Sequence, residues 1–183
     1  MNLLSKIKKH CKLKRYCKIL REVDGKFANS LGGYIVDYTK EFLVLQESDD
    51  FLLKGFKIIP LNTIIEIRYN QNDICYDKIM RSEKVWDKIN YTHNVDLTSW
   101  STIFISIQEL GFNVIIENEH PKESTFDIGP ITKVKEKYVR IRYFNAEGIL
   151  RPSTTEFKWK HITVVTFDDR YINVFSKYLK RSE

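Results

Sequence analysis

Apolar residues recur along this chain with two different periods, and the switches between them divide it into elements. In residues 3–13, Leu3, Leu4, Ile7 and Cys11 share one side of a helical projection and lysines fill most of the remainder, which predicts a short amphipathic helix. Period-two alternation then predicts strands over 17–22, 32–38, 41–46, 52–59 and 64–69, each rich in β-branched or aromatic residues. Asp24-Gly25, Ser48-Asp-Asp50 and Pro60-Leu-Asn-Thr63 supply the turns between them. From Asn72, a candidate helix cap, Cys75, Ile79, Trp86 and Ile89 return to helical spacing and predict a connecting helix that packs between two halves. Residues 91–99 are polar and without period, as a linker is. A second helix is expected over 100–110, ended by Gly111. Strands are expected over 113–119, 126–133, 138–144, 155–159 and 162–167, and residues 171–179 fit a helix, although 171–175 alone would also fit a strand.

The two β-rich stretches repeat one another. Pairing each residue with the one 96 positions later matches residue classes without a gap from Ile19/Ile115 to Leu45/Ile141. Gly33-Tyr-Ile35 falls on Gly129-Pro-Ile131, and Phe42-Leu-Val-Leu45 falls on Tyr138-Val-Arg-Ile141. Beyond them, Ile64-Ile-Glu-Ile67 matches Ile162-Thr-Val-Val165 after a two-residue insertion in the second copy. Identities are few, so the weight rests on the positions of the glycine, the aromatic residue and the aliphatic residues. A repeat this long implies two copies of one small domain. The expected organisation is a helix-plus-strands repeat over 1–70, a connecting helix and linker over 71–98, and a second repeat with a C-terminal segment over 99–183.

Length and composition agree with a globular protein. With 183 residues, 43% hydrophobic and 30% charged, the chain suits one large or two small domains. Its longest apolar runs are too short for a transmembrane segment. The start, Met1-Asn-Leu-Leu4 followed by Lys6-Ile-Lys-Lys9, lacks the apolar core and cleavage site of a secretory signal. Cys11, Cys17 and Cys75 are an odd number, which favours reduced thiols and a cytoplasmic location.

The net charge of +6 is local. Seven bases, Lys6, Lys8, Lys9, Lys12, Lys14, Arg15 and Lys18, fall in the first eighteen residues, which hold no acid, and the rest of the chain carries 23 bases against 24 acids. These lysines could contact nucleic-acid phosphates or lie on an anionic membrane, or could be the solvated face of a helix packed on its own domain. Bases and rings also interleave in Arg140-Ile-Arg142-Tyr143-Phe144 and Phe157-Lys158-Trp159-Lys160, a pattern used against single strands. Strand alternation puts Phe157 and Trp159 on one face and the lysines on the other, so the rings are expected in a core. The candidate nucleic-acid-binding residues are therefore Lys6, Lys8, Lys9, Lys12, Lys14, Arg15, Lys18, Arg140 and Arg142.

Catalytic chemistry has little to stand on. His10, His93, His120 and His161 are scattered and the cysteines have no ligand spacing, so no metal or cofactor is expected. Asp49-Asp50 and Asp168-Asp169 read as turn residues. No phosphate loop, dinucleotide fingerprint or nucleophile elbow occurs.

The order of a short helix, a strand, a glycine-bent strand, an aromatic-aliphatic third strand and a final pair joined by a tight turn resembles the Sm-like barrel. Lys18-Ile-Leu, Gly25, Gly33-Tyr-Ile-Val-Asp37 and Phe42-Leu-Val-Leu45 are similar to the first Sm motif, and the resemblance covers residues 4–68 and 100–167. It implies a mainly β fold of two tandem five-stranded Sm-like, or SH3-like, small barrels, each preceded by a short helix. RNA-binding members carry an asparagine in the third-strand loop and an Arg-Gly pair between the last two strands. Here Phe42 and Tyr138 stand at the first position, and Leu61-Asn62 and Lys160-His161 near the second, so the uridine-binding set is missing. The chain also resembles bacterial proteins of no assigned activity that end in Phe167-Asp-Asp-Arg-Tyr-Ile-Asn-Val-Phe175. The expected function is a non-enzymatic binding or interaction module with a protein or nucleic-acid partner, with RNA or DNA binding through the basic segment as the alternative. Single-copy Sm proteins form rings, whereas tandem copies could form a pseudo-dimer; a homo-oligomer is open.

Overall fold

The computed structural model describes residues 2–181, which divide into two compact units with the boundary between Thr92 and His93. The first runs α1 (Leu3–Leu13), β1 (Tyr16–Val23), β2 (Lys26–Tyr38), β3 (Phe42–Asp49), β4 (Leu52–Pro60), a 3-10 turn (Leu61–Thr63), β5 (Ile64–Arg68) and α2 (Gln71–Ser82). The second runs α3 (Trp100–Glu109), β6 (Val114–Asn118), β7 (Thr125–Gly129), β8 (Ile131–Val134), β9 (Tyr138–Ile141), β10 (Ile149–Leu150), β11 (Thr155–Lys158), a 3-10 turn (Trp159–His161), β12 (Val164–Phe167), α4 (Arg170–Ser176) and β13 (Lys180–Arg181). The fold is mainly β and its main sheets are antiparallel; the short β10–β13 pair is parallel.

Local chemistry explains where these elements start and stop. Asn2 caps α1 by accepting from the Ser5 amide at 2.8 Å. Helix α2 is capped by Asn70 and not by Asn72, because Asn70 and Asp73 exchange side-chain and backbone hydrogen bonds in a capping box. Asp24 and Gly25 both take positive φ, as a tight two-residue hairpin between β1 and β2 requires. Gly111, at φ +78°, ends α3.

Within the first unit the strand order is β5-β1-β2-β3-β4, and the second reproduces it as β12-β6-β7 together with β8-β9-β11. Pro130, which has no N–H to donate, interrupts what is one continuous strand in the first unit. Register agrees pair by pair. Leu45 faces Lys57 and Phe42 faces Pro60 across β3 and β4. Ile141 faces Thr155 and Tyr138 faces Lys158 across β9 and β11, so the third strands stay 96 positions apart and the fourth strands 98. Each 3-10 turn is closed by an isoleucine amide bonded back three residues, Ile64 to Leu61 and Ile162 to Trp159.

The first strand corrects the ungapped pairing by one residue. Cys17 pairs with Gly33 and Ile19 with Ile67, whereas Val114 pairs with Gly129 and Ile116 with Val165. Ile19 therefore corresponds to Ile116 and not to Ile115. Burial gives the reason: Ile19 and Ile116 are fully buried while Ile115 is half exposed, and a slip of one residue turns every side chain of a strand to the other face.

Gly33 and Gly129 do the same job in the two sheets. A Cβ on Gly33 would overlap the carbonyl oxygen of Gln46, and one on Gly129 would overlap that of Arg142. The bent second strand thus lies against the backbone of the third at a distance that excludes a side chain.

Two expectations change. The strands of each unit form open sheets: among the described residues no hydrogen bonds join β5 to β4 or β12 to β11, so no closed barrel is seen. Helix α2, expected as a connector between halves, packs in the first unit, with Met80 buried among Tyr16, Tyr34 and Ile89. It has a counterpart in α4, whose Ile172 is buried with Ile128 and Phe144. Residues 171–176 are thereby helical and not a strand.

Gly33→Ala is expected to destabilise the full chain by about 1–3 kcal/mol, read as a lowered urea midpoint, because a methyl group there displaces the facing backbone. An unchanged midpoint would show that the close approach is dispensable.

Candidate nucleic-acid interface

Helix α1 presents two faces of opposite character. Ile7 is fully buried and His10 is 6% exposed, while Lys8, Lys9 and Lys12 are exposed on the other side. Among the described residues these three lysines make no ion pair, and α1 itself contains no acid. Lys6, Arg15 and Lys18 are half-buried and Lys14 is exposed. The packed-helix reading of the basic segment describes α1, and its outward face is an unneutralised stripe of ammonium groups. Only Leu4 and Leu13 are large apolar residues exposed on α1, at 38% and 41%.

At its C-terminal end the helix is pinned by residues far away in sequence. Lys14 adopts a left-handed backbone, φ 42° and ψ 56°. The Trp86 indole donates to the Lys14 carbonyl at 2.9 Å, and the Lys14 ammonium donates to the Ile89 carbonyl at 3.3 Å. The Arg81 guanidinium lies 3.9 Å from the centre of the Trp86 ring, and that of Arg15 lies 5.3 Å from the centre of Tyr69. The His10 imidazole meets the same Tyr69 ring edge-on at 5.1 Å. Tyr69 in turn follows β5, which Arg68 ties to α2 through a two-pronged bond to the buried Asp73 carboxylate, at 2.7 and 3.1 Å.

Arg140 and Arg142 belong to the second unit, so the structure does not assemble the nine candidates into one site within a unit. Arg140 is already engaged: its guanidinium donates to Glu156 at 2.9 and 3.2 Å and rests 5.1 Å from the Tyr138 ring centre. Arg142 is half-buried. Phe157 is buried and Trp159 half-buried against Phe104, with its indole donating to the Glu136 carbonyl at 2.6 Å, while Lys158 and Lys160 are exposed. Phe157 is core, as alternation predicts, whereas Trp159 opens the 3-10 turn and is only partly covered.

Other polar groups are committed to structure. Asp168 accepts from Asn173 at 2.7 Å and pairs with the His93 imidazole at 2.9 Å, and Asp169 caps α4. Cys11, Cys17 and Cys75 are free thiols; burial pushes the first two pKa values up, so their thiolates are disfavoured. Among the described residues no group of three His, Cys, Asp or Glu could hold a metal ion, and no helix is long and apolar enough to cross a membrane.

Sequence reasoning found the lysine stripe through helical period but missed Trp86, Tyr69, Arg81 and the burial of His10. Helical period marks only the apolar positions of α1 for its inner face, and nothing local signals contacts across more than fifty residues. No protein-family model, curated sequence or solved structure matches the chain.

His10 supplies a pH test. Desolvation, then the positive charge of Arg15, Lys9 and Lys6, hold its pKa below the ordinary value of 6.5. The unfolded chain therefore takes up a proton first as pH falls. Stability contributed by neutral His10 is complete above pH 6.5 and is lost as the pH drops from there through the folded-state pKa. The urea midpoint of the wild type is expected to fall further between pH 7.5 and 5.5 than that of His10→Leu; equal falls would remove His10 from the acid response.

Proposed function

We propose that this chain is a non-enzymatic binding module built from two Sm-like small barrels, each left open between its fourth and fifth strands, and that it works in the cytoplasm. The observation that carries the reading is the shared strand order and cross-strand register of the two units, down to the glycine that lets the second strand lie on the backbone of the third. Two copies of a small sheet offer paired binding surfaces, and a fold of this kind takes its function from what is grafted on it. The strongest candidate for acid-base chemistry, the His93–Asp168 pair, is tied to Asn173 of α4 and flanked by Phe112 and Phe167, as a structural pair is.

A second reading is favoured by one specific feature, the exposed Lys8, Lys9 and Lys12 on a helix without acids. In this reading α1 contacts the phosphates of RNA or DNA. It does not require the uridine pocket of Sm proteins, whose residues this chain lacks.

Two measurements test these readings. Full-length protein and His93→Gln are expected to show the same background rate on ester, phosphoester and peptide substrates; a wild-type rate that disappears in the variant would overturn the non-enzymatic reading. On heparin, the triple variant Lys8→Glu/Lys9→Glu/Lys12→Glu is expected to elute at clearly lower salt than wild type, and co-elution would remove α1 as the anion-binding face.

A further inference from the structure

We propose that the ligand of the α1 lysine stripe is a nucleic-acid duplex held through its phosphates alone; this rests on the nucleic-acid reading of α1 and names its substrate class. Two observations separate a duplex from the other polyanions. The first concerns rings. Single strands are held by bases stacking on open aromatic faces beside a cationic track. The two rings at the end of α1 are already taken by the protein's own groups, Tyr69 by Arg15 and His10, and Trp86 by Arg81 at 3.9 Å and Lys14 at 5.7 Å. What α1 leaves outward is charge without a stacking surface, which suits a ligand whose bases are hidden inside.

The second observation concerns apolar residues. A membrane-surface helix needs an apolar face to insert. On α1 that face is consumed by the protein, with Ile7 and His10 buried. The exposed Leu4 and Leu13 are nine positions apart, about half a turn around the helix at 100° per residue, and so cannot enter one surface together. Lys8 to Lys12 covers about 6 Å of helix axis, and a duplex carries about one charge per 1.7 Å of its own axis when both strands flanking a groove are counted. Three ammonium groups therefore meet a comparable number of phosphates over the same length.

The test is fluorescence anisotropy of the full-length chain with four probes: a 20-base-pair DNA duplex, an RNA duplex of the same length, oligo-dT of 20 nucleotides, and vesicles containing 30% phosphatidylserine. Either duplex is expected to bind more tightly than oligo-dT. Three phosphate contacts predict a log-log salt slope of about −2.7, which weakens binding about 40-fold between 50 and 200 mM salt. Each single Lys→Gln change at positions 8, 9 or 12 reduces the slope by about 0.9. Tyr69→Leu, which removes a ring but keeps an apolar side chain, leaves duplex affinity within about twofold if stacking plays no part. Oligo-dT bound as tightly as duplex and lost in Tyr69→Leu would overturn the duplex inference while leaving α1 as a nucleic-acid contact. Binding to vesicles with none to any nucleic acid, or duplex binding indifferent to the three lysines, would overturn both.

Discussion

The contact of one backbone with another, where a side chain has no room, governs both halves of this molecule. At Gly33 the second strand lies against the Gln46 carbonyl, and at Gly129 its counterpart lies against that of Arg142. Any β-carbon would force the strands apart, and the hydrogen bonds and aliphatic contacts beyond the bend depend on their staying together. Ile35 pairs with Leu45 and Ile131 with Ile141 two residues past the glycines, and all four side chains are buried. Burial of each such side chain is worth about 1.5–3 kcal/mol, so the register that the glycine permits holds much of the core.

Around this shared frame the two units differ where their sequences do. The first carries an unbroken second strand, and at the position of Pro130 it has Tyr34, whose hydroxyl donates to Asp77 of α2 at 3.1 Å. Burial, with the nearby Asp77 charge, pushes the Tyr34 pKa far upward, so the phenol stays protonated and serves as a donor. Pro130 has no hydroxyl to make such a bond; the closing helix of the second unit is held by Phe144 stacked on Phe175 and by Ser176 accepting from Asn113 at 2.7 Å. A helix follows the last strand in both, and in each case ring packing and a side-chain hydrogen bond together hold it.

The basic segment shows how one helix serves core and surface together. Its inward side chains hold it on β2 and β5, which frees the outward lysines from any structural duty. Lysine ammonium groups on such a face are strongly hydrated and cost little to expose, so the fold neither needs them nor opposes them there. Arg15 and Lys14 do otherwise: both lean on aromatic rings, and they help seat the helix.

By itself the sequence determined the type and approximate span of most elements, the two-residue insertion, the glycine bends and the lysine stripe, because periodicity, turn residues and helix caps are local properties. The alignment of the first strand was illegible, since Ile115-Ile116 offers an isoleucine in either register and only burial against neighbouring strands distinguishes them. The inner place of His10, the role of Trp86 and Tyr69 at the end of α1, and the membership of α2 in the first unit were likewise decided by tertiary structure. Each depends on which surfaces meet after the chain has turned back on itself, and residues separated by more than fifty positions carry no local mark of that meeting.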